Sequence, residues 1–69
     1  LTDTVALRLL IQKSGLKYKY IAQVLGITPY ALQRKIDNYN EFKVSEVDSL
    51  CDLLGISLVQ KDQIFFSKS

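Results

Sequence analysis

The chain has 69 residues, 48% of them apolar, with nine Lys and Arg, seven Asp and Glu, one Cys and no His. That length predicts one domain with a small core, the apolar content excludes a disordered chain, and a single cysteine excludes an internal disulfide and fits a reducing cytosol. No apolar run approaches the ~20 residues of a membrane span, no signal peptide is visible, and the lack of an initiator Met predicts a short missing lead before Leu1.

In chain order, Thr2 or Asp3 can cap a first helix that runs to about Ser14. Val5, Leu9 and Leu10, with Ala6, define its inward stripe, and Leu7 and Ile11 widen it. Gly15 ends this helix and Leu16 tucks into the core. A second helix spans Tyr18–Leu25, with Ile21, Ala22 and Leu25 on one face. Gly26 stops it, because glycine turns a helix C-terminus without steric penalty, and Ile27 follows as a buried plug. Thr28 caps a third helix and Pro29 takes its first position, where a missing N–H is no loss. This helix runs over Pro29–Asn38 with Leu32 and Ile36 inward. Asn38-Tyr39-Asn40 is a turn, and Phe42 anchors the loop on the core. Ser45 caps a fourth helix, with Asp48 three residues on as a shortened capping box. Val47, Leu50, Cys51 and Leu54 form its inward stripe, and Gly55 ends it. Ser57 caps a fifth helix through about Gln63. Ile64-Phe65-Phe66 then closes the chain, either against the first helix or as a surface for weak self-association. Nothing reads as a strand, linker, repeat or second domain, so the fold class is all-α, a compact five-helix domain.

Charge is uneven along this frame. From Thr4 to Ile36 lie six cations (Arg8, Lys13, Lys17, Lys19, Arg34, Lys35) and no acid, whereas two cations and four acids follow from Val44 onward. The basic half suits a polyanion, and the acidic half is left to packing or a partner. Catalysis has little to draw on. Cys51 lies on an inward stripe, Asp48 and Asp52 form a solvated pair without a metal-ligand set, and no glycine-rich phosphate loop is present. The expectation is a chain without enzymatic activity, metal or cofactor.

The basic half holds the unit around which the chain is organised: short helix, glycine turn, short helix over Tyr18–Asp37. Helices of this length do not stand alone in water, so the second is packed from within and its outer face is free. That is the helix-turn-helix pattern. At 100° per residue, Tyr30, Arg34 and Asp37 lie opposite Leu32 and Ile36, with Gln33 on the flank. Arg matches the two acceptors of guanine and Gln the acceptor–donor pair of adenine. Tyr30 can touch a thymine methyl or a phosphate, and Thr28 with the helix start faces phosphate.

At IAQVLGIT and ALQRKIDN the chain resembles the Cro/phage-repressor (lambda-repressor-like) helix-turn-helix family. LCDLLGIS followed by IFF is similar to its closing helices, so the resemblance covers nearly the whole chain. It is nearest to small Cro-like repressors and modulators of repression from phages of Gram-positive hosts. One departure is Lys17-Tyr18, where the family often has Ser/Thr-Gln holding a phosphate. The resemblance implies a cytoplasmic regulator of a lysis–lysogeny switch that binds double-stranded operator DNA. Thr28, Pro29, Tyr30, Gln33 and Arg34 would then read bases, and Lys17, Tyr18, Lys19, Asn38, Asn40 and Lys43 would hold phosphates. It also allows, as the alternative, an antirepressor that binds its cognate phage repressor. Asp37 repels phosphate, and Tyr30, Tyr39 and Phe42 offer an aromatic surface suited to protein.

Overall fold

The computed structural model describes residues 1–66 and contains five α-helices: α1 Thr4–Ser14, α2 Tyr18–Leu25, α3 Pro29–Ile36, α4 Val44–Leu54 and α5 Leu58–Phe65. No strand occurs among the described residues. Each helix sends two residues to one shared core: Leu7 and Ile11, Ile21 and Ala22, Leu32 and Ile36, Val47 and Leu50, Ile64 and Phe65. Burying side chains of this size stabilises by roughly 1.5–3 kcal/mol each, so no helix can leave the cluster cheaply. Phe42 anchors the loop after α3 by meeting Phe65 edge to face, with ring centroids 5.6 Å apart.

Several boundaries follow local chemistry as expected. The Asp3 side chain accepts the Ala6 N–H at the start of α1, and Ser57 accepts the Gln60 N–H at the start of α5. After α2 the chain closes a Schellman turn. Gly26 sits at φ 74° and its N–H reaches Gln23 O, while the N–H of Ile27 reaches Ala22 O at 3.0 Å. A side chain at that φ costs about 1 kcal/mol or more, which is why the turn carries glycine.

Other expectations are corrected. α1 turns Leu7 and Ile11 inward and leaves Val5 and Leu9 exposed. Apolar residues surround this helix on most sides, so periodicity alone leaves its rotation open. Its polar groups decide. The Thr4 hydroxyl donates to Ile36 O at 2.6 Å, and Arg8, one turn on, also reaches toward α3. α3 ends at Ile36 rather than Asn38, because Asn38 takes a left-handed φ of 67° and turns the chain. α4 begins at Val44 with Lys43 as its N-cap, not Ser45. A lysine ammonium cannot accept a hydrogen bond, so only half of a capping box forms: Glu46 Oε1 accepts the Lys43 N–H at 2.8 Å. Cys51 is half-buried rather than interior, and burial pushes its thiol pKa up. α5 extends to Phe65, and Ile64 and Phe65 are core, so only Phe66 of the closing triplet is exposed. Phe66 joins Val44 and Leu58 around an open apolar groove of about 410 Å³ floored by Phe42 and Val47. No helix of the described residues is long and apolar enough to cross a membrane.

Candidate functional site

Leu32 and Ile36 are fully buried and fix the rotation of α3. At its start, the Thr28 hydroxyl accepts the Ala31 N–H at 3.0 Å, and Pro29 occupies the first turn. Thr28, Pro29 and Tyr30 are exposed there, with Gln33 and Arg34 half-exposed behind them. These five sequence-predicted residues therefore share the outer side of one short helix.

Arg34 does not extend freely. Its Cζ lies 5.8 Å from the Tyr30 ring centroid and 5.0 Å from that of Tyr39, and Nη1 is 3.4 Å from the Tyr30 hydroxyl. Tyr39 is brought back onto the helix because its N–H bonds Arg34 O at 2.9 Å. Both rings are 70% exposed. A guanidinium over aromatic faces is attracted by the ring quadrupoles, so the three side chains form one patch. Phe42 is not part of it: its ring is packed toward Phe65 and the apolar groove.

Arg8 is the neighbour of this face that helical projection of the motif alone misses. Its Nη2 donates to Gln33 Oε1 and to Asp37 Oδ1, both at 2.9 Å, and its Nη1 to the Tyr18 hydroxyl at 3.3 Å. Its Cζ also lies 5.7 Å from the Tyr18 ring. The hydrogen bond to Asp37 raises the guanidinium pKa further; partial burial opposes this. One side chain of α1 thus ties the first residue of α2 to the outer side of α3. The only sequence signal was Thr4 and Arg8, two polar residues one turn apart in a largely apolar helix.

The phosphate candidates divide. Lys17, Lys19, Asn40 and Lys43 are exposed. Tyr18 is half-buried, its hydroxyl accepting from Arg8 and its ring packed on the core. The Asn38 amide holds the chain start, accepting the Thr2 N–H at 2.8 Å and donating to Thr2 O at 2.9 Å. Lys35 turns inward and pairs with Glu46 at 2.6 Å. Burial pushes Glu46 upward, but its hydrogen bonds from Lys35 and the Lys43 N–H outweigh that, and the carboxyl titrates below its usual range. Of the six cations in the basic stretch, Arg8 and Lys35 are therefore paired. Lys13, Lys17, Lys19 and Arg34 are in no ion pair among the described residues. The described residues hold no cluster of three or more His, Cys, Asp or Glu able to bind a metal ion.

No family model, curated protein or solved structure matches this chain.

Proposed function

We propose that this chain is a phage-type helix-turn-helix transcription regulator that sets the outer face of α3 in the major groove of operator DNA. The observation that carries this reading is the grouping of Tyr30, Gln33 and Arg34 on the outer side of a helix whose inner residues are fully buried. Arg8 supports it, because its bond to Asp37 offsets the one carboxylate on that face. Exposed Lys17, Lys19 and Lys43 supply phosphate contacts, with Asn40 as a neutral donor. The resemblance to Cro-like proteins supports a role in a lysis–lysogeny switch in the cytoplasm of a bacterial host. A single module of this size buries roughly 600–1,000 Å² of its own surface on DNA, so specific binding calls for two copies on a two-fold site. The groove edged by Val44, Leu58 and Phe66 is the candidate surface for weak self-association.

A second reading has its own observation. Tyr30 and Tyr39, mostly exposed beside Arg34, are residue types that dominate binding energy in protein interfaces. This patch suits an antirepressor that captures the DNA-binding domain of its cognate repressor.

Fluorescence anisotropy on a duplex from the chain's own promoter region separates the two, with and without the neighbouring repressor. Operator binding predicts sequence-selective affinity of the chain alone, with a log–log salt slope of about −3 per copy for three lysine contacts. No binding alone, together with release of the repressor from the duplex, is the antirepressor result.

A further inference from the structure

We propose that Arg8 is a positioning residue that sets the orientation of the Gln33 amide, so that Gln33 and Arg34 both present donors to the groove and the base met by Gln33 is guanine. This rests on the operator-binding reading above. A guanidinium carries donors only, so the atom of Gln33 facing it at 2.9 Å must be the carbonyl oxygen, and the amide orientation is not ambiguous. The Gln33 NH₂ then points the other way. Among the described residues it has no hydrogen-bond partner, and no buried side-chain nitrogen or oxygen there lacks one, so this NH₂ meets water. Arg34 beside it also offers donors alone. The Tyr30 hydroxyl accepts from Arg34 at 3.4 Å, which leaves its own proton to donate.

The base edge follows from this polarity. Adenine shows an acceptor and a donor in the major groove, and Gln matches it when oxygen and NH₂ reach the base edge together. The Gln33 oxygen has a second lone pair, but the bond to Arg8 draws it toward α1 and leaves the NH₂ as the end turned away from Arg8. Guanine shows two acceptors, O6 and N7, which an outward NH₂ satisfies. The adenine assignment suggested by residue type alone is thereby reversed by a residue on another helix.

The test selects binding sequences from a randomised duplex library with the full chain and variants. The column of the site read by residue 33 is the one that loses preference in Gln33→Ala. Wild type should enrich guanine there. Arg8→Leu frees the amide and should shift that column toward adenine by about tenfold in relative preference. Arg8→Lys still only donates and should keep guanine. Arg8→Gln, which offers an acceptor as well, replaces Arg8→Leu should that variant not fold. A purely structural role for Arg8 predicts weaker binding on every sequence with the column unchanged, and that result overturns the proposal. Adenine in the wild-type column also overturns it and leaves operator binding standing. No enrichment of any sequence by folded wild type, with capture of the repressor's DNA-binding domain, overturns both.

Discussion

Lys35–Glu46 and Arg8–Asp37 both tie α3, or the residue that ends it, to another helix, at 2.6 and 2.9 Å. The first has side chains 11% and 6% exposed, the second 34% and 41%. That difference in burial separates their roles. A buried carboxylate left without its cation is strongly destabilising, whereas a half-exposed pair is screened by water. The inner pair therefore locks α3 to α4. The outer pair contributes little to stability and instead sets the charge and donor pattern of the face that α3 presents.

The largest effect should come from breaking the inner pair. Lys35→Ala should lose about 3 kcal/mol in urea unfolding, a large share of the roughly 3–10 kcal/mol available to a domain this size. Arg8→Ala should lose no more than about 1 kcal/mol. Lys35→Met with Glu46→Leu, which removes both charges, should recover most of the loss. If Arg8→Ala proves the more destabilising, the contrast is reversed.

A milder probe of the same pair is pH. Glu46 titrates lower in the fold than in the unfolded chain, so its contribution is complete above its ordinary value of 4.5 and is lost as pH falls through its depressed value. Wild type should lose stability below that point, and the Lys35→Met, Glu46→Leu chain should lose less. Parallel stability–pH curves for the two proteins would remove Glu46 from the account.

The outer face should respond in binding instead. Arg34→Ala is expected to weaken selective DNA binding by about 1–3 kcal/mol, roughly 5- to 150-fold, and to relax sequence choice. The smallest effect is Lys17→Ala, which should weaken binding on all sequences and flatten the salt slope by about one unit.

The two regions were not equally legible in the sequence. Thr28-Pro29, Gly26 and Ser57 mark helix ends by local chemistry, and Leu32 and Ile36 mark the inner side of α3 by spacing, so the five-helix outline and the outer position of Tyr30, Gln33 and Arg34 could be read directly. Lys35 counted as a free cation because its partner is eleven residues away on another helix. The rotation of α1 was hidden for a related reason: Val5 and Leu9 are as apolar as Leu7 and Ile11, and only the reach of Thr4 and Arg8 to α3 separates the two stripes. Asn38 looked like a loop donor for phosphate, yet its amide closes on Thr2 across 36 residues. Local signals end where long-range polar partners begin.

The central claim is that α3 meets DNA with its outer face. The most direct measurement is a two-dimensional NMR titration of the ¹⁵N-labelled chain with its promoter duplex. Saturable shifts should appear at Thr28, Tyr30, Arg34, the Gln33 side-chain amide and the Lys17–Lys19 segment. Shifts confined to the groove edged by Val44, Leu58 and Phe66, or none at all, would contradict the account.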